Sequence, residues 1–571
     1  MKKSIISLLV LLLSVQLIAQ NDNQQGLKRE VTLYNPYKPS LPDVVKKSYL
    51  PDMTDSAGLK PSFSYHVKTS PFMPAYSITL VKPAAMLPDP LPKLYKSYVN
   101  LGLGTYITPL AEISITNLRS KKGAIGFYAK HLSTNGKVEL ENKKKVFAGY
   151  MDNDASLYGK KFLKGSILSG SVDFMQKTRY AYGYDTTFTD YNPSKKDTRL
   201  NYLDAGANIG LASTRIDSSV FAYDFRAGYD FFSSGRDYYQ HNINFEGWMA
   251  KKWNGFYAGA SVGLHSYKPS DSVSAISKYI FVISPFLTKS TKEWNLKLGL
   301  MALIDKGYIS DAVFHIYPDV SFGFSIIPEF LGFFADMSGR LEDNSARNAI
   351  AANPFILPGK DLYSIKNTSY ALAVRAGLRG STGIEGSYSL SASYSVVNDF
   401  LMFTNYVVTD STATIRRGQY FKPVTDDANI LSLHGDISGK LAANLRFEAA
   451  GYYYKYTMNS LAYPWNMPSW DACLKFKYNL REKIIAGAGL NALGKRTLGI
   501  TRYDKLNPLV DNSYTVSMPA TLSFNLSAEY RYTRILSFWV KLNNISFSKY
   551  YEWAYFPTQR FIFMAGFTYS L

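Results

Sequence analysis

The sequence predicts an all-β fold: a transmembrane antiparallel β-barrel of the outer membrane, with about 20–22 strands and a proline-rich N-terminal segment. Three observations predict it. In the last eleven residues, Phe561, Phe563, Ala565, Phe567, Tyr569 and Leu571 alternate with Ile562, Met564, Gly566, Thr568 and Ser570. The same period-two pattern, with Tyr and Phe on its apolar phase, recurs across most of the chain. No stretch has the ~18 uninterrupted apolar residues of a membrane-crossing helix. The nearest to one, Ser321 to Met337, is broken by Pro328 and Glu329. Unpaired backbone groups cost several kcal/mol in lipid, so the final strand is expected to close a ladder with no open edge.

Taken in order, residues 1–19 read as a cleaved signal peptide. Lys2 and Lys3 precede an apolar run from Ile5 to Ile18, and Ala19 supplies a small residue before the cut. No cysteine stands near the cut, which argues against a lipid anchor. Residues 20–95 form a separate segment, in which 11 of the 25 prolines lie between Pro36 and Pro92. Proline fixes φ and removes ladder donors, so neither sheet nor helix is expected there. The segment also carries Tyr34, Tyr37, Tyr49, Phe63, Tyr65, Phe72, Met73 and Tyr76, more apolar anchors than a linker needs. Docking inside its own barrel or on a partner is the sharper expectation, and a periplasmic tail the plainer one.

The barrel is assigned to residues 96–571. Tyr98 to Tyr106 and Leu110 to Leu118 read as strands joined by a tight turn at Ile107-Thr108-Pro109, followed by Ala124 to Leu132. Long connections are expected at Tyr180–Lys196, Glu342–Thr368, Thr409–Asn429 and Arg496–Met518. The last three carry Asn, Asp, Gly and Pro signals and are candidate extracellular loops. Near the end, Leu522, Phe524, Leu526, Ala528, Tyr530 and Tyr532 alternate with polar residues, as do Leu536, Phe538, Val540 and Leu542. A soluble sandwich also alternates, but it does not place so many aromatics on the apolar phase over such a length. Of 571 residues, 45 are Tyr, which suits the interfacial girdles of a barrel.

Composition excludes several classes. The single cysteine, Cys473, rules out an internal disulfide framework and falls on a lumen-facing phase. Formal charge is +20, or +18 without Lys2 and Lys3. That excess suits anionic cargo or phosphate-bearing headgroups, including outer-membrane lipid and lipopolysaccharide. The cations are dispersed, so nucleic acid is not expected as a partner. His66, His131, His241, His265, His315 and His434 lack any metal-binding spacing. Without a nucleophile elbow, no catalytic residue is assigned, and no metal or cofactor. His434 beside Asp436 reads as a polar lumen or loop pair. The candidate functional residues are lumen-facing charges: Arg446, Glu448, Lys475, Lys477, Glu529, Arg531 and Lys541. Charges facing a wide aqueous lumen set ion preference, or they pair across strands and hold the N-terminal segment.

At Asn543-Asn544-Ile545, Tyr550-Tyr551-Glu552-Trp553 and Arg560-Phe561, the chain resembles the end of TonB-dependent outer-membrane receptors. Ile545-Ser546 and the terminal Leu571 depart from the commoner pattern. The resemblance covers about thirty residues. It implies the receptor's barrel, recognition by the barrel-assembly machinery, and solute transport at the outer membrane. The family's N-terminal plug needs on the order of 100 residues with its own core. Residues 20–95 do not provide that, and Lys28 to Thr32 is at most a weak match to an energy-coupling box. A plugless transport barrel is therefore the leading expectation. The alternative is a non-transporting scaffold subunit of a multiprotein assembly or secretion complex. Its protein partners would be a surface lipoprotein or other subunits of such a complex.

Overall fold

The computed structural model describes residues 95–571, except 118–119, 188–190, 215–220, 236–237, 270–276, 309, 357–364, 384, 410–416 and 505–512. The expected signal peptide and proline-rich segment lie outside the described residues. From Ser97–Gly104 to Ile562–Ser570, 22 antiparallel strands run in sequence order around a closed barrel. The ring closes between the last strand and the first, with Leu101 opposite Phe567 and Gly102 opposite Gly566.

Alternation places the two faces as the sequence implies. Leu103, Ile125, Val172, Phe314, Ile316, Leu390 and Leu522 are all more than half exposed, and they form an apolar outer belt. Phe563, Phe567 and Leu571 belong to it, while Met564 and Ser570 of the opposite phase are buried. The segment from Ser321 to Met337 is a hairpin: Ala312–Ile327 and Leu331–Glu342, turning at Pro328 and Glu329. Among the described residues no helix is long and apolar enough to cross a membrane.

The seam shows how the ends are held. Trp539 of Leu536–Asn543 points inward and lies across Gly566 of the last strand and Gly102 of the first. A Cβ at either glycine would come within 2.5 Å of the indole. The indole Nε1 donates to Asn100 Oδ1 at 2.8 Å, and Asn100 Nδ2 donates to Glu112 at 3.2 Å. One side chain thus spans three neighbouring strands.

Short turns gather at one end, among them 163–165, 291–293, 443–444 and 481–483, together with Leu571 and the start of the first strand. Long connections gather at the other: 135–149, 181–198, 343–367, 459–469, 494–520 and 544–561. Outer-membrane barrels keep short turns on the periplasmic side, so the long-loop end faces outward.

Two expectations need correction. The turn after the first strand is at Thr105–Ile107, with Tyr106 and Ile107 in the left-handed region, and Pro109 is the second residue of the next strand, Thr108–Thr116. Pro109 opposes Leu103, while the pairing to the third strand starts only at Leu110, so its missing N–H faces no ladder partner. The expected loop Thr409–Asn429 is mostly strand. Ser387–Thr409 and Arg417–Ala442 are 23 and 26 residues long, far beyond the 9–11 needed to span lipid. Pro423 is tolerated because Arg417–Ala442 pairs with the following strand only from Ala428 on.

Candidate functional site: the lumen and its outer cap

The outer ends of these two strands lose their alternation. Val397, Met402, Phe403, Val407 and Phe421 are all buried, because loops cover both faces. Met402 and Phe403 are adjacent, which a two-faced strand in lipid would not bury together. Above the barrel the strand Ser387–Thr409 also pairs in parallel with Arg496–Asp504, which pairs in turn with Tyr514–Met518. The expected loop Arg496–Met518 thus carries its own strands.

The other loops pack on this sheet and meet at the centre. Tyr182 comes from the loop between the fifth and sixth barrel strands, Phe355 from that between the thirteenth and fourteenth, and Phe556 from the last loop. Their roots lie about a third of the circumference apart. Tyr182 lies 5.0 Å from Phe556 and 6.5 Å from Phe355, centroid to centroid, and Phe355 lies 4.2 Å from Phe556. Phe421 and Trp553, 5.0 Å apart, extend the cluster. Each fully buried Phe or Ile contributes about 1.5–3 kcal/mol, so this cluster makes the loops a folded layer across the mouth.

Polar contacts fix the cap to the inner wall. The helix α1 (Ala346–Ala352) starts at Ser345, whose side chain accepts from Asn348 N. Its Arg347 donates to Asp204 at 2.5 Å and lies 3.9 Å from Asp230, on the sixth and seventh strands across the mouth. Tyr202 donates to Pro354 O at 2.6 Å. Lys278, almost wholly buried, pairs with Asp343 at 3.0 Å and donates to Asn367, which donates to Asp305 at 2.8 Å. Burial pushes the Asp343 carboxyl up, but the Lys278 ammonium and hydrogen bonds from Lys278, Tyr267 and Ser345 outweigh it and hold it below the usual carboxylate range. Arg496 joins two loops: its guanidinium donates to Asn466 Oδ1 at 3.1 Å, Glu552 O at 3.0 Å and Tyr551 O at 2.5 Å.

All seven charges predicted from sequence sit on inward phases, six of them on the half of the wall towards the short turns and Lys541 opposite Met564 near the outer end of Leu536–Asn543. Outward neighbours on the same strands, Tyr453, Tyr478, Tyr530 and Phe538, are exposed. Arg446 opposes Lys477, and Glu448 opposes Lys475. Arg446 lies 3.6 Å from Glu385, which also pairs with Lys440. Arg531 reaches Glu529 at 3.5 Å, and the Lys541 ammonium lies 5.1 Å from the Trp539 ring centroid. His434 is a lumen residue, 3.6 Å from Asp436, and Cys473 faces inward opposite Ala450. Among the described residues no three His, Cys, Asp or Glu side chains are placed to hold a metal ion.

Sequence reasoning missed the cap. A signal was present: aromatic residues inside turn-rich stretches, as in Tyr182-Gly183-Tyr184, Asn353-Pro354-Phe355 and Trp553-Ala554-Tyr555-Phe556-Pro557. Asn544, at the start of the last loop, is in the left-handed region with φ of 52°. Its side-chain Nδ2 donates to Ser548 O at 3.0 Å and its Oδ1 accepts from Ser546 Oγ at 2.8 Å, which, with asparagine's tolerance of that backbone region, accounts for asparagine at that turn.

No protein-family model and no curated protein sequence matches the chain. Solved structures do. The copper transporter OprC superposes with a TM-score of 0.59 at 13% identity, covering 84% of this chain and 82% of its own. The FrpB iron transporter from Neisseria meningitidis (F3-3 variant) gives 0.63 at 10%, with 84% and 82% covered. The pyoverdine receptor FpvA from Pseudomonas aeruginosa PAO1, bound to pyoverdine, gives 0.59 at 13%, with 84% and 79% covered. The fold is that of the barrel of TonB-dependent outer-membrane receptors.

Proposed function

We propose that this chain, with the barrel fold of TonB-dependent receptors, is a transport barrel that passes or binds solutes at the outer membrane and is gated by its own folded outer loops. The observation that carries this reading is the pairing of a charged inner wall with a cap that closes over it. A wall of inward charges serves an aqueous path, and a cap across the outer mouth serves a path that must not stand open. In this reading Arg446, Glu448, Lys475, Lys477, Glu529 and Arg531 set the ion preference towards the inner mouth, and Lys541 adds a charge further up the same wall. Residues 20–95 act as an occluding segment. The partners are lipid and lipopolysaccharide at the wall, the barrel-assembly machinery during insertion, and a surface lipoprotein or complex subunit above the cap.

The test is conductance of the full chain in planar bilayers, compared with a variant whose cap is loosened. Low conductance that rises in the loosened variant supports transport. A correctly inserted barrel that insulates in both states returns the chain to the scaffold alternative. Deleting residues 20–95 in the loosened background should raise conductance further. Unchanged conductance with loss of a co-purifying protein would make the segment a docking arm.

A further inference from the structure

Aromatic residues on the lipid phase of a barrel are expected, but a row of them on the aqueous phase is not. One such row climbs the inner wall. His434, Tyr452, Tyr454, Tyr456 and Phe400 follow one another with ring centroids 4.2, 6.0, 5.9 and 6.3 Å apart. Its direction is fixed by register: His434 opposes Tyr452, Ser432 opposes Tyr454 and Ile430 opposes Tyr456. The intervening residues Leu431, Leu433 and Tyr453 are exposed on the outer belt, so the five rings face inward. The row begins in the open lumen, where Tyr452 is 38% exposed, and ends beneath the cap, where Phe400 is 9% exposed. It therefore connects the closed outer mouth to the aqueous interior.

The chemistry beside the rings is hydroxyl and carboxylate. Asp471 stands opposite Tyr452, and Asp436 lies 3.6 Å from His434. Ser432, opposite Tyr454, shares a 2.6 Å hydrogen bond with Ser393. The nearby Arg375 is paired with Asp336 at 2.6 Å. Phenol edges give apolar contact and a hydroxyl at each step of the row, while the carboxylates accept hydrogen bonds and repel anions. A solute matched to this is long, uncharged, and combines apolar C–H faces with many hydroxyls.

We propose that this row is a binding track for a neutral oligosaccharide, running from the underside of the cap into the lumen. The proposal rests on the transport reading and names its solute class. The Tyr452 and Tyr454 rings contact the sugar faces, and Asp436 and Asp471 accept from the hydroxyls.

Calorimetric titration with maltohexaose, in a detergent without a sugar headgroup, of the full chain and of the chain without residues 20–95, which leaves the inner mouth unblocked, tests it at equilibrium and requires no opening of the cap. Saturable binding is expected. It should weaken at least tenfold in Tyr452→Ala/Tyr454→Ala, stay near wild type in the outward-facing Tyr453→Ala, and be largely retained in Tyr452→Phe/Tyr454→Phe. Heat-modifiable gel mobility checks that each variant is folded. If the alanine pair does not fold, Tyr452→Leu/Tyr454→Leu keeps the bulk and removes the planar face, with the same loss expected. Absence of saturable binding to both wild-type forms, or equal affinity in the Ala or Leu pair, overturns the track. Preference for a polyanion of the same length overturns the solute class. Conductance of the loosened-cap barrel is independent of all these results, so failure of the track leaves the transport reading to its own test.

Discussion

Phe355 stacks on Phe556 with 4.2 Å between ring centroids and 30° between ring planes, although their loops are rooted about a third of the barrel apart. That contact, completed by Tyr182, turns separate extracellular loops into one layer with a shared core. A barrel whose loops only fringed the rim would bring no rings together over its axis. Closure at the outer mouth is therefore a property of side-chain packing, and it can be weakened without touching a membrane strand.

Phe355→Ala with Phe556→Ala should loosen the cap while leaving the barrel intact. Truncating a buried Phe typically costs about 3–5 kcal/mol, and here the cost falls on a layer outside the strand ladder. Heat-modifiable mobility should persist, protease should cut within 544–561 at lower concentration, and bilayer conductance should rise. Wild-type loop protection in the double variant would show that the rings do not hold the cap.

Arg496 offers a second way to separate the loops. Arg496→Met leaves the Tyr551 and Glu552 carbonyls without that donor. A buried unsatisfied acceptor costs about 1–3 kcal/mol, so faster proteolysis of the last loop is expected at unchanged barrel mobility. Arg496→Lys should recover only part of the protection, because an ammonium lacks the planar fork that reaches Asn466 and both carbonyls.

The pH dependence follows from Asp343. Its carboxyl is held below the usual range in the folded cap, so ionisation favours the folded form. That contribution is complete above the unfolded value, about 3.9, and is lost as pH falls through the lower folded value. Cap protection should therefore hold from neutral pH down to about pH 4 and fall below it. Asp343→Asn should reduce protection at neutral pH by removing the partner of the buried Lys278, and it should flatten the acid-side loss. An acid transition unchanged in Asp343→Asn would assign it to other groups.

The sequence made the membrane wall legible and left the cap obscure, for a physical reason. In lipid each strand answers to two fixed solvents, so Leu522, Phe524 and Tyr530 alternate faithfully with the residues turned to the lumen. The same rule reads the seven candidate charges as turned to the lumen, and their strand neighbours Tyr453, Tyr478, Tyr530 and Phe538 are exposed on the other phase. Above the membrane, strands are covered on both sides, and Met402 and Phe403 can be buried together. Asp426 and Asp427, which looked like turn residues, serve instead as acceptors: Asp426 takes Ser460 N and Leu461 N at 2.9 and 2.8 Å, and Asp427 takes Asp399 N at 3.0 Å. Those partners lie tens of residues away, where no local pattern points to them.

The seam gives the last prediction. Trp539 reaches Asn100 over two glycines, and a Cβ at Gly566 would run into Leu101 O of the first strand and come within 2.5 Å of the indole. Gly566→Val should therefore push the last strand and the indole off the first strand and break the 2.8 Å bond to Asn100. The affected pairing is the one that closes the ring, and it joins segments more than 450 residues apart in sequence. A ring that fails to close exposes two strand edges to lipid, at several kcal/mol for each unpaired group. Gly566→Val should therefore lower the yield of inserted, protease-resistant barrel, and deleting Phe561 to Leu571 should abolish it. Trp539→Phe should have a milder effect, because it leaves both glycines and the strand pairing in place and loses the hydrogen bond and the distal indole carbons that lie over the glycines. Normal insertion of the deletion would mean that the last strand is not needed to close the barrel.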